Sequence, residues 1–432
     1  MPAVNFMASS PPRTRVSLAV GALLVAAAVP WKEVAFAIAV LLLVTALPLR
    51  WQQIRLVLQR CWPIMTMLAI ALLVTMLTSS GVDKRTVIRI LFYYVRIPVF
   101  LLLGFAARRY VADDRPLLWT VVALGVWGGG QTVFRYLIGG SLSGLDHNEI
   151  RAVVGSGDTI SMLIPLCMLT LWPRTQSALL KGLLVGASGV ALLGVAASSS
   201  RTGILVLLLS GVFSLPRVRP LPIARWGSVA ALVATFVLTT PALPPLLHAL
   251  GLDPTHINSL AEVIARPRSD LQSINEQWRG YETYMAFVAA ASDGFGLFFV
   301  GHGLEAFAPL GVLIELAPGQ MFDHTDVFHN GWSFIVLHSG LLGVGLYIAQ
   351  FFLFAAPPAS SGSVVLRYDN RLFALLVLSL ASSTAVVAGA FNAGTFASVQ
   401  LFLIGCFYPY SLVPVRRLLD AGLPRRALSP QG

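Results

Sequence analysis

The chain has 432 residues, 56% of them hydrophobic and only 11% charged, with a mean hydropathy of +0.77. Ordinary soluble domains carry roughly 25% charged residues, so this composition excludes a soluble globular protein of this size. The formal net charge of +11 sits in a chain too apolar for a nucleic-acid binder, and it reads as the orientation signal of a polytopic membrane protein.

Residues 1–15 are short, polar and basic, and an apolar run follows from Val16. That pattern is similar to a signal peptide, but many more apolar segments follow, so the run is read as a first span that stays in place. A helical span needs about 20 largely apolar residues, and helices satisfy their own backbone groups in lipid. The alternation of a β-barrel is absent. About twelve spans are predicted, near 16–30, 34–49, 62–79, 87–107, 117–138, 158–173, 180–198, 202–215, 226–246, 328–355, 372–390 and 396–415. Pro30, Trp31, Lys32 and Glu33 form the tight turn between the first two. Nineteen of the 30 basic residues fall in alternate connections and the tails, beside only Asp113, Asp114, Asp369 and Asp420. The positive-inside rule makes that side cytoplasmic, and an even span count puts both termini there.

The opposite side carries one long loop, 247–327. Pro241, Pro244, Pro245, Pro254 and Pro267 break the approach to it and its first part. Its centre, Ser269 to Ala291, is predicted to hold one or two amphipathic helices, with Tyr281, Tyr284, Phe287 and Val288 at helical spacing. Gly294, Gly296, Gly301 and Gly303 then predict a loop. The expected fold is an all-α polytopic membrane protein. Nine spans lie in 1–246, the outer loop in 247–327, and three spans with the tail in 328–432. Loops of this length are usually functional. No internal repeat is visible, which weighs against an inverted-repeat transporter.

All seven histidines lie away from the cytoplasmic connections: His147, His248, His256, His302, His324, His329 and His338. Histidine is the side chain that takes a proton near neutral pH. Arginine is the second signal. Arg201 stands at the outer mouth of two spans, and Arg266, Arg268 and Arg279 lie in the large loop. Arg85, Arg89 and Arg96 fall at i, i+4 and i+11, nearly one helical face. Arg96 would lie within the membrane, where a charge is costly and faces a bundle interior or polar cavity. Such arginines either snorkel and pair structurally, or grip an anion such as phosphate through the planar guanidinium. Asp323, His324 and Asp326 form a short cluster, but no metal site is expected from these spacings. Cys61, Cys167 and Cys406 show neither zinc spacing nor a disulfide framework. No phosphate-binding glycine loop is present, so no cofactor is expected, and a substrate already activated on a lipid becomes attractive.

His329-Asn330, nine residues, then Gly340-Leu341-Leu342-Gly343 resembles the signature of the O-antigen ligases. Ser198 to Gly203, around Arg201, resembles the Ser-Arg-small-Gly motif of the wider O-antigen ligase/polymerase superfamily. Arg279 resembles its loop arginine, and Gly301-His302-Gly303 resembles its glycine turn. The resemblance covers roughly 196–350 and the overall topology. It departs in two places: Trp278 precedes Arg279 where the superfamily has a tryptophan after it, leaving Arg266 or Arg268 as alternative counterparts, and His302 replaces an apolar residue.

The resemblance implies a glycosyltransferase of the bacterial inner membrane with a periplasmic active site. It would move O-antigen from undecaprenyl diphosphate onto lipid A–core oligosaccharide, without metal, as a monomer, and with no nucleic-acid partner. His329 would be the general base, with Arg201 and Arg279 on the diphosphate. Arg266, Arg268, Arg85, Arg89, Arg96, Asn330 and His338 would contact substrates or membrane lipid. His329 is preferred to His338 as base because His338 lies about 13 Å deeper at 1.5 Å per helical residue. Three other functions compete: an O-antigen polymerase, a protein O-glycosyltransferase, and a secondary transporter of lipid or sugar.

Overall fold

The computed structural model describes residues 12–408 apart from 28–31, 48, 50, 79–82, 112, 139–158, 198–200, 216–218, 250–263, 269–272, 275–276, 318–319, 327, 356–366, 385–388 and 392–394. The first half comprises α1 (Pro12–Ala27), α2 (Lys32–Thr45), α3 (Trp51–Arg60), α4 (Trp62–Thr78), α5 (Lys84–Tyr110) and α6 (Arg115–Ile138). A 3-10 turn (Thr159–Leu163) leads into α7 (Ile164–Leu171), then α8 (Ala178–Ala197), α9 (Arg201–Ser214), α10 (Pro220–Thr239) and α11 (Leu243–Ala249). Next come α12 (Trp278–Ser292), α13 (Phe295–Val300), strands β1 (Ala308–Ala317) and β2 (Gln320–Thr325), and α14 (Gly331–Phe354). The described fold ends with α15 (Arg367–Ser382), a 3-10 turn (Gly389–Phe391) and α16 (Thr395–Cys406).

Apolar helices of spanning length mark a helical membrane protein. Among the described residues, five are long and apolar enough: Lys84–Arg108, Arg115–Ile138, Ala178–Ala196, Pro220–Thr239 and Gly331–Phe354. The pair Ile54–Arg60 and Trp62–Thr78, bent by 71°, makes a sixth if taken as one span. Six shorter apolar helices of 10–17 residues lie over the remaining predicted positions. Among the described residues, length and composition alone mark five or six helices as spans, fewer than the twelve expected.

Two segments differ in kind from the expectation. The stretch around Arg55 and Arg60 reads as a connection in sequence but forms α3, a strongly amphipathic helix. Pro63 is tolerated in the first turn of α4, which lets the chain restart as a new helix after Cys61. The bend is pinned to the far end of α14: Arg60 Nη1 donates to the Leu353 carbonyl at 3.3 Å, and Gln350 Nε2 donates to the Arg60 carbonyl at 2.7 Å.

The second difference corrects the all-α expectation for the large loop. β1 and β2 form an antiparallel hairpin, with Ala308 opposite Thr325 and Pro309 opposite His324. The signal was local. Val312-Leu313-Ile314 favours a pleated strand, and Pro318-Gly319 punctuates the run. The hairpin buries Leu310 and Ile314 against Ile274 and Tyr281, with Trp278 at the edge. Tyr281 also donates its hydroxyl to the Leu310 carbonyl, and burial pushes its pKa up. Of the one or two helices expected in 269–291, α12 forms the part from Trp278 onward, and 269–272 and 275–276 lie outside the described residues, while the predicted glycine loop contains the short α13 between Gly294 and Gly301.

The helices pack closely where small residues allow it. α5 lies along α16, and a Cβ on Gly104 would collide with the Phe402 carbonyl, one on Gly405 with the Leu101 carbonyl. Small residues at such crossings let two backbones approach inside a membrane bundle. α5 also meets α14, where Tyr94 and Ser339 share a hydrogen bond of 2.6 Å in the interior.

Candidate active site

The start of α14 is built by its own sequence. Asn330 caps it: the side-chain Oδ1 accepts the Trp332 backbone N–H at 2.9 Å, the usual role of asparagine at that position. The other end of the amide donates to Thr283 Oγ1 at 3.0 Å, and Ser333 and Thr283 hydroxyls lie 3.2 Å apart. Thr283 belongs to α12, so the cap locks α14 onto α12. Asn330 is 1% exposed. Expected to touch substrate, it instead sits in the seam between two helices.

The same seam presents His329. Glu282 of α12 is fully buried, and both of its oxygens serve His329. Oε1 accepts the His329 backbone N–H at 2.6 Å, and Oε2 accepts from ring Nδ1 at 3.0 Å. A carboxylate accepts only, so Nδ1 carries the proton and Nε2 is the basic nitrogen. The His329 side chain is 59% exposed while its partner is 0% exposed. An imidazole oriented from behind by a buried carboxylate, with its outer edge in a cavity, is the arrangement a general base needs.

The motif glycines have steric reasons. α14 is kinked at Gly340, where φ is +63°. A Cβ there would meet the Phe299 carbonyl and the Gly301 backbone nitrogen. Gly301 (φ +89°) presses on His338 and Ser339, and Gly303 (φ +84°) on Thr75 of α4. His302 then donates its backbone N–H to the Leu337 carbonyl at 2.8 Å, three residues before the kink. The glycine turn thus lies directly against the kink in α14.

A cavity of about 610 Å³ opens beside His329. Its wall includes Asp83, Thr86 and Arg89 from the start of α5, Trp278 of α12, Glu305 and Phe307, and Phe322 to Asp326 without Asp323. Arg89 is the only guanidinium among these lining residues, and it pairs with Asp326. Asp83 caps α5; a hydrogen bond from the Thr86 side chain, with further help from the Arg85 backbone N–H, holds its carboxyl below the usual range. Outside the cavity wall, Asp323 bonds to His324 Nδ1 at 2.6 Å, and that bond lowers its pKa. The Asp323-His324-Thr325-Asp326 run therefore points two ways, one carboxylate to His324 and the other to Arg89.

The other expected residues scatter. Arg85 is on the exposed face at the start of α5. Arg96, on the same helical face, is 1% exposed and donates to the Ala390 carbonyl at 3.1 Å, so it braces the turn Gly389–Phe391 rather than a cavity. His338 is fully buried, with Nδ1 2.8 Å from the Gly303 carbonyl and its ring against Phe334. Arg266 and Arg268 lie in segment 264–268, which has no regular secondary structure, and Arg268 donates to the Gln277 side chain. Arg279 is in the first turn of α12, three residues before Glu282. None of these three loop arginines lines the cavity. Arg201 opens α9, but its side chain lies outside the described residues, as do His147, His256 and the side chain of His248.

Sequence reasoning missed Glu282 and Asp326 as partners. Glu282 is the lone acidic residue of α12, a signal that was present but that only burial makes meaningful. No family model, curated protein or solved structure matches this chain.

Proposed function

We propose that this protein is an inner-membrane O-antigen ligase with about twelve spans, a periplasmic site and cytoplasmic termini. It transfers O-antigen from undecaprenyl diphosphate to a sugar hydroxyl of lipid A–core oligosaccharide. The observation that carries the reading is His329, oriented by buried Glu282 at the wall of a polar cavity. The steric need for Gly340, Gly301 and Gly303 supports it, because these are positions through which the chain resembles the superfamily.

In the proposed step His329 Nε2 removes the proton of the acceptor hydroxyl. The oxygen attacks the anomeric carbon, and the bond from that carbon to the diphosphate oxygen breaks. Undecaprenyl diphosphate leaves, its charge met by guanidinium groups, of which Arg89 stands at the cavity wall and Arg201 is the one the superfamily motif supplies. One displacement inverts the anomeric centre, the logic of inverting glycosidases with a sugar hydroxyl in place of water. Guanidinium groups can stabilise the departing diphosphate without a metal.

The test is complementation of a strain that lacks its own ligase. The wild-type gene is expected to restore long-chain lipopolysaccharide. His329→Ala and Arg201→Ala are expected to leave core-only lipopolysaccharide, with carrier-linked polymer accumulating and the protein retained in the membrane. Full activity of His329→Ala would remove the base from the mechanism. A lost ladder on the carrier itself would identify a polymerase. Purified protein is expected to keep its activity in EDTA; loss restored by magnesium would refute the metal-free step.

A further inference from the structure

A second cavity, of about 580 Å³, lies against α5 and α2. Its walls are apolar: Phe36 of α2, with Ile88, Phe92 and Val95 of α5, and the Phe36 and Phe92 rings meet edge to face at 5.3 Å. Arg85 and Arg89 also line it, and so does the carboxylate residue Glu33 in the first turn of α2. From Arg85 to Val95 the helix rises about 15 Å at 1.5 Å per residue, half of a roughly 30 Å hydrocarbon core.

An apolar groove on a membrane helix is ordinary by itself. This one differs because Arg89 lines both it and the polar cavity that holds His329. The two cavities therefore meet at one guanidinium. Arg89 is held by Asp326, three residues before His329, while the Arg85 guanidinium has no ion-pair partner among the described residues. A ligand bridging both spaces needs an apolar chain for the groove and an anionic group for the arginines. The bond beyond that group would then fall in the polar cavity.

We propose that the groove of Phe36, Ile88 and Phe92 seats the proximal isoprene units of a polyprenyl diphosphate, with its phosphates on Arg85 and Arg89 in exchange for Asp326. This rests on the proposed function and adds where the lipid lies. The Asp326 carboxylate stands where a phosphate would bind, so it competes with the ligand. A two-chain phospholipid would meet the same arginines but has no group that must reach His329.

The experiment measures binding of glycan-free undecaprenyl diphosphate to the purified full-length protein in nanodiscs, with phosphatidylglycerol as competitor. Arg85→Gln/Arg89→Gln is expected to weaken binding by about tenfold or more, since two charge-assisted contacts are lost. Ile88→Trp fills the groove from an exposed position and is expected to weaken it similarly. Asp326→Ala is expected to tighten binding, a gain that damaged folding would not produce. Wild-type affinity in both the groove and the arginine variants would overturn the groove while leaving the ligase reading intact. Equal competition by phosphatidylglycerol would reduce the site to ordinary lipid contact and also overturn it. No binding of undecaprenyl diphosphate by the wild type would overturn both readings.

Discussion

The pair His329 and Glu282 makes the sharpest residue-scale prediction. In Glu282→Gln, one amide oxygen still accepts the His329 backbone N–H, but the amide nitrogen faces Nδ1 as a donor. The ring must then accept at Nδ1 and carry its proton on Nε2, the wrong tautomer for a base. Turnover is expected to fall by roughly 10²–10⁴, the usual worth of general acid–base catalysis, with KM little changed. Steady-state kinetics on purified protein check this, and a loss under about threefold would deny Glu282 the orienting role. His329 was legible in the sequence because its motif is local. Glu282 was not, because it lies 47 residues away and its role depends on burial. Asn330 shows the converse: the motif flagged it, but the structure uses it to cap α14 and hold α12.

The kinked α14 and the turn that enters it act as one unit among the elements. Gly340→Ala combines a positive φ with a collision against Phe299 and Gly301. Strain of this type costs about 1–3 kcal/mol, and the collision adds to it. A lowered midpoint in thermal unfolding of the purified protein is expected, and an unchanged midpoint would refute the account of the kink. The spacing of Gly340 and Gly343 was readable, but its reason was not, since Gly340 is required by a backbone about forty residues upstream. The β-hairpin shows a different limit. Its strands run 10 and 6 residues, and an apolar run of that length reads as helix or strand until Tyr281 and Ile274 pack against it.

For the whole molecule, the prediction concerns orientation. Reporters fused within 293–307 are expected to read as outside, and reporters at the C-terminus as cytoplasmic. Activity of paired alkaline phosphatase and fluorescent-protein fusions checks both, and a fluorescent, phosphatase-inactive loop fusion would reverse the topology. Arg60 bonded at the far end of α14, and Arg89 bonded near its start, place expected inner and outer arginines at opposite ends of one helix. By itself the sequence determined that the chain is a helical membrane protein, because composition and hydropathy sum over hundreds of residues and no single contact changes the sum. It also singled out His329 and its glycines, whose spacing is local. Only the tertiary structure decided that Glu282 backs His329, that Arg89 rather than a loop arginine reaches the cavity beside it, and that Arg96 and His338 are enclosed. Those outcomes depend on which helices pack together, and burial and close approach belong to pairs of residues far apart in the chain.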